Sequence, residues 1–253
     1  MNYKVLSYLL GSIVLLAGCS SEKAETSNKI TPKGLEKGYG FNATRNDWPK
    51  INDDATDTNK LLAENYFIIF DGSGSMSVSQ CSGTKTKAEV AISAVNHFID
   101  QIPAPANVGL LVFDRNGNNT RIKLGIDNRS ELKTKIWDVK FGGGTPLHTA
   151  IKKGLSELEE QASNQLGYGE YNIVIVTDGS ASASESPADL VSLIYQNTPV
   201  AIRTIGFCIG ADHSLNQPGI TYYKSADNPE SLREGLASVL AESESFSDIA
   251  EFK

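Results

Sequence analysis

From Tyr66 onward, short apolar runs alternate with stretches whose apolar residues recur at helical spacing, and no other feature of the chain constrains its fold as strongly. Tyr66 to Phe70 (YFIIF), Val108 to Phe113 (VGLLVF), Ile173 to Val176 (IVIV) and Ala201 to Ile209 (AIRTIGFCI) are continuous enough to be strands covered on both faces. Thr120 to Ile126 differs, because Ile122, Leu124 and Ile126 alternate with Arg121, Lys123 and Gly125. Asn116-Gly117 just before it is a hairpin signal, so this run is expected as an antiparallel edge strand beside the one ending at Phe113. Between the strands, Ala88, Ala91, Ile92, Val95, Ile99 and Ile102 predict a helix over 87–102, ended by Pro103. Leu147, Ala150, Ile151, Gly154, Leu155 and Leu158 predict another over 146–163, with Pro146 as its first residue. Two more follow Pro187 and Asn228-Pro229. The pattern is that of an α/β domain: a doubly wound, mostly parallel central sheet with one antiparallel edge strand, helices on both faces, and the Tyr66 to Phe70 strand central. A chain of 253 residues, 40% of them hydrophobic, has apolar material for one such domain with a substantial core.

The beginning of the chain follows other rules. Lys4 precedes an uncharged apolar run over 5–18 (VLSYLLGSIVLLAG), shorter than the ~20 residues of a spanning helix but suited to a secretory signal. Leu16-Ala17-Gly18-Cys19 resembles the lipobox of bacterial lipoproteins. That resemblance implies cleavage before Cys19, acylation of Cys19 as the lipid anchor, and a place in the bacterial cell envelope. Ser20, not being aspartate, favours the outer membrane if the host is Gram-negative. The expected organisation is a signal peptide over 1–18, a lipid-anchored polar linker over 19–61, a folded domain over 62–242 and a C-terminal tail over 243–253. A flexible chain of about 40 residues spans on the order of 35 Å, enough to hold a domain clear of lipid head groups. Tyr39, Phe41 and Trp48 are unusual in a solvating linker and are candidates to dock on the domain. The net charge of −7 lacks the basic excess that phosphate backbones demand, so nucleic acid is excluded as a partner class.

Three loops carry chemistry. Asp71-Gly72-Ser73-Gly74-Ser75-Met76 follows the first strand, Gly142-Gly143-Gly144-Thr145-Pro146-Leu147 opens a helix, and Thr177-Asp178-Gly179-Ser180 follows the Ile173 to Val176 strand. In an open parallel sheet such loops converge outside the carboxyl ends of the strands, where ligands bind. They offer the carboxylates of Asp71 and Asp178 and the hydroxyls of Ser73, Ser75 and Thr145. Hard oxygens without thiolate or imidazole suit Mg²⁺, Mn²⁺ or Ca²⁺, not zinc. An ion held largely by neutral hydroxyls stays under-neutralised and accepts one more carboxylate from outside.

Asp71-x-Ser73-x-Ser75, then Thr145 in GGTPL, then Asp178 in TDG, resembles the metal-ion-dependent adhesion site of von Willebrand factor type A domains, and the resemblance spans about 62–242. It implies that Ser73, Ser75 and Thr145 coordinate a divalent ion through hydroxyls, and that Asp71 and Asp178 act directly or through water. A binding protein follows, not an enzyme: a membrane-anchored domain that captures a protein partner by an acidic residue. Two alternatives stay open, a structural envelope lipoprotein with a fold-stabilising metal and a Mg²⁺-dependent phosphohydrolase. Against the second, Ser73 stands where a proton-donating acid would follow Asp71, and no G-x-S-x-G elbow is present. His97, His148 and His213 lack metal-ligand spacing, although His148 is a candidate for the rim. With Cys19 acylated, Cys81 and Cys208 remain as an even pair in a compartment where disulfides persist. Both lie near strand ends, and a disulfide across the top of the domain is expected, two buried free cysteines being the alternative.

Overall fold

The computed structural model describes Trp48, Pro49 and residues 61–241. The stretch over 1–18 expected as a signal peptide, Cys19, Tyr39, Phe41 and the expected tail over 243–253 lie outside the described residues. Six strands form one sheet: β1 (Glu64–Asp71), β2 (Asn107–Asp114), β3 (Gly117–Gly125), β4 (Glu170–Thr177), β5 (Ala201–Phe207) and β6 (Tyr222–Ala226). Their spatial order is β3-β2-β1-β4-β5-β6, and every pair is parallel except β2 with β3. The chain therefore runs outward from β1 to one edge, returns, and builds the other side. That reversal places the strand order's switch point between β1 and β4, where loops of opposite winding part and leave a crevice.

The uninterrupted apolar run of β1 exists because helices cover both of its faces. Tyr66, Ile68 and Phe70 point into one core, shared with α1 (Lys87–Gln101), α2 (Arg129–Trp137) and α5 (Pro229–Ala241). Phe67 and Ile69 point into the other, against α3 (Leu147–Asn164) and α4 (Ala188–Asn197). Gly154 faces this second core, where an added Cβ would lie 3.0 Å from Phe67 Cδ1. Its missing side chain is what admits α3 so close to β1.

Several local outcomes differ from expectation. The β2–β3 turn is centred on Arg115 and Asn116, with Gly117 opening β3 at φ 100°. Asp114 Oδ1 accepts the Asn116 N–H at 2.8 Å, so an aspartate before the turn shapes it. Pro146 caps α3 from outside instead of opening it. Two elements carry weak sequence signals. In α2 only Leu132 and Ile136 are buried, too few for a visible stripe. In β6 only Ala226 is fully covered, because this strand closes the sheet edge.

Cys81 and Cys208 form a disulfide, with Cα atoms 5.9 Å apart. It ties the loop between the first motif and α1 to the end of β5, which stops at Phe207, one residue before Cys208. Trp48 packs edge-on against Tyr171 with ring centroids 5.8 Å apart, so one of the three linker aromatics does dock on the domain. Among the described residues no helix is long and apolar enough to cross a membrane.

Candidate metal centre

The registers Asp71↔Phe113 and Phe70↔Val176 bring the carboxyl ends of β1, β2 and β4 level. Asp71 is the last residue of β1, and Asp178 follows the last residue of β4. Backbone hydrogen bonds then stitch the first loop to its neighbours: Gly72 N to Phe113 O, Gly142 N to Gly72 O and Gly74 N to Gly143 O. Gly72 is obligatory, because a Cβ there would come within 2.8 Å of Asp114 Cβ, Phe113 O and Val139. Gly142 and Gly143 have φ of 145° and 87°, which L side chains seldom adopt.

On this scaffold the five expected residues come together. Ser73 N donates to Asp71 Oδ1 at 2.8 Å, and Thr177 Oγ1 donates to Asp71 Oδ2 at 2.6 Å. Ser75 Oγ donates to Asp178 Oδ1 at 2.7 Å and lies 2.9 Å from Ser73 Oγ. Thr145 reaches the same space from the third loop. A Cβ on Gly179 would lie 3.5 Å from Thr145 Oγ1 and 3.7 Å from Ser75 Oγ, so that glycine leaves open a small hollow walled by the two hydroxyls. Ser182 holds the threonine in place: its Oγ accepts the Thr145 N–H at 3.0 Å, and its N–H donates to Thr145 O at 3.0 Å.

Burial decides the electrostatics. Asp71 is completely buried, and desolvation pushes its carboxyl up to about 6 although hydrogen bonds from Ser73 and Thr177 pull the other way. Asp178 Oδ2 has Lys87 Nζ 2.6 Å away as an ion pair but no aligned hydrogen-bond donor. A buried carboxylate oxygen with charge nearby and an undirected lone pair, beside an open hollow lined by hydroxyls, fits a divalent cation. The donor chemistry agrees, being all oxygen. Among the described residues no group of three or more His, Cys, Asp or Glu side chains is placed to hold a metal, so an ion here depends on the neutral hydroxyls.

The supporting roles of four residues were not legible in the sequence. Thr177 and Ser182 are recognisable only once their partners converge on them. His213 comes from the β5–β6 connection: its Nε2 lies 3.1 Å from Gly179 O, and its Nδ1 accepts the Leu215 N–H, which leaves Nε2 as the donor. Burial lowers the basicity of this imidazole, and the bond to Gly179 opposes that. Lys87 is the fourth, outside all three motifs at the start of α1. His148, the candidate for the rim, has its Nδ1 3.1 Å from Ser186 O.

Residues 66–181 match the family model of the von Willebrand factor type A domain. The six-stranded, mostly parallel sheet with helices on both faces is a von Willebrand factor type A-like fold. The uncharacterized protein YwmD of Bacillus subtilis (strain 168) is 27% identical over 162 residues, covering 58% of this chain and 70% of YwmD. A von Willebrand factor type A structure from Catenulispora acidiphila superposes with a TM-score of 0.57 at 18% identity, covering 71% of this chain and 42% of that one. The pilus adhesin SpaC from Lactobacillus rhamnosus GG gives 0.55 at 15% identity, over 72% of this chain and 30% of SpaC. This chain thus spans under half the length of these two solved chains, and the likeness to them is one of fold.

Proposed function

We propose that this chain is a lipid-anchored, divalent-metal-dependent binding protein of the bacterial cell envelope, whose metal centre captures an acidic residue of a protein partner. The observation that carries this reading is the meeting of the Ser73, Ser75 and Thr145 hydroxyls with the Asp71 and Asp178 carboxylates at one hollow above the sheet. A divalent ion held there supplies a Lewis-acidic position for one external carboxylate oxygen. Asp71 and Asp178 orient the serines through hydrogen bonds, and Ser182 and His213 steady the two loops that face them. An adhesin among the structural neighbours is in keeping with a binding role. Catalysis by Asp71 is disfavoured, because both of its oxygens are engaged and none of its surface is open to a substrate. The tether and Cys19 supply the membrane attachment in this reading.

Thermal unfolding of the full chain in detergent, at rising Mg²⁺ or Mn²⁺, tests the centre. An ion at a hundred times its Kd adds about 2.7 kcal/mol by mass action, so the midpoint should climb. Asp71→Ala and Thr145→Ala should fold and show no such climb. Cross-linking in native membranes with Mg²⁺, then with EDTA, tests the capture. Recovery of the same partners in both, or by Asp71→Ala, overturns the metal-bridged mechanism and leaves a structural lipoprotein.

A further inference from the structure

The geometry points to Lys87 as a resident cation of this centre, one that holds metal affinity down and makes the loaded centre positive, so that it selects an anionic group on the partner. This rests on the metal-centre reading given above. Lys87 opens α1, where the helix dipole presents its positive end and a lysine is misplaced. The first turn is firmly set all the same: Thr86 and Glu89 form a capping box, and Lys87 N donates to Val78 O at 2.9 Å. The side chain then runs inward, not out to solvent. It is 5% exposed and ends 2.6 Å from the fully covered side chain of Asp178. An ammonium placed at the wrong end of a helix and stripped of water persists only with a compensating partner, and here that partner is a carboxylate of the metal centre.

The charge count follows. Asp71 and Asp178 against Lys87 leave one net negative charge, and a divalent ion reverses this to one net positive charge. Without Lys87 the loaded centre would be neutral. Lys87 therefore opposes the ion and, once it is bound, favours a partner carboxylate over a neutral oxygen ligand. It also pairs with Asp178 while the ion is absent, so that this buried carboxylate keeps a countercharge.

The test compares the parent full chain with Lys87→Gln and Lys87→Arg by Mn²⁺ titration calorimetry, with Asp71→Ala as a control. Removal of a like charge a few ångströms from the ion should tighten Mn²⁺ binding by at least about tenfold in Lys87→Gln. Lys87→Arg, which keeps the charge, should stay near the parent. Acetate added to the Mn²⁺-loaded proteins, read by water-proton relaxation, should bind more weakly to Lys87→Gln than to the parent. If Lys87→Gln folds only with metal present, chelator competition on the loaded protein reads the same affinity. Equal or weaker Mn²⁺ binding by Lys87→Gln, or equal tightening in Lys87→Arg, overturns the role of Lys87 while the centre itself stands. Should the parent bind no more Mn²⁺ than Asp71→Ala, it is the metal-centre reading that fails.

Discussion

Asp71 is the residue on which the candidate centre most depends, and its burial makes a pH-dependent prediction. Its carboxyl moves from 3.8 to about 6 in the folded protein, chiefly through desolvation, so the native state holds the proton more tightly than the unfolded chain. The stabilisation this gives is full below about pH 4 and is lost as pH rises through about 6, an effect on the order of 2–3 kcal/mol. In EDTA, the parent should therefore lose stability between pH 5 and pH 7 relative to Asp71→Asn, which mimics the protonated state. Thermal melts across that range check it; parallel curves for the two proteins would remove the argument. The DxSxS run makes Asp71 legible in the sequence. Its burial and its bond to Thr177 are not, because the bond joins residues 106 positions apart in the chain.

Among the elements, α3 and the disulfide-bearing loop carry the clearest mechanical consequences. Gly154 is buried in the middle of α3, and a larger side chain there meets Phe67 and Ile69 of β1. Gly154→Leu improves helix propensity, so any loss of stability reports packing alone. Urea unfolding is expected to show a loss of about 1–3 kcal/mol, the usual cost of overpacking. A gain in stability would mean that α3 does not sit as closely as described. The Cys81–Cys208 bridge closes a sequence separation of 127 residues, and a disulfide is typically worth about 2–4 kcal/mol. Cys81→Ser with Cys208→Ser should lower the melting temperature on the order of 10 °C for a domain of this size. Calorimetry under oxidising conditions measures it, and an unchanged midpoint would show that the bridge adds nothing to stability. The helices α1 and α3 are legible because their apolar residues repeat at helical spacing, and the strands β1, β2, β4 and β5 because their apolar runs are nearly continuous. The short α2 and the edge strand β6 bury too little for any period to appear.

At the scale of the whole molecule, local pattern and long-range placement contribute separately. The alternation of covered strands with amphipathic helices determined the doubly wound sheet and the central place of β1, since a strand apolar on both faces must be covered on both. The three oxygen-bearing loops were likewise readable, because each stands at a strand end or a helix start where side chains are held apart from the core. Sequence alone determined which residues are available to a hard cation. Tertiary structure decided how they are held: the hollow over Gly179, the clamp of Ser182 on Thr145, the support of Gly179 by His213, and the ion pair of Lys87 with Asp178. The physical reason is separation along the chain. Periodicity reports contacts with a generic apolar interior and survives in a window of a dozen residues, whereas a specific polar contact joins two particular atoms whose meeting depends on strand order, register and burial together.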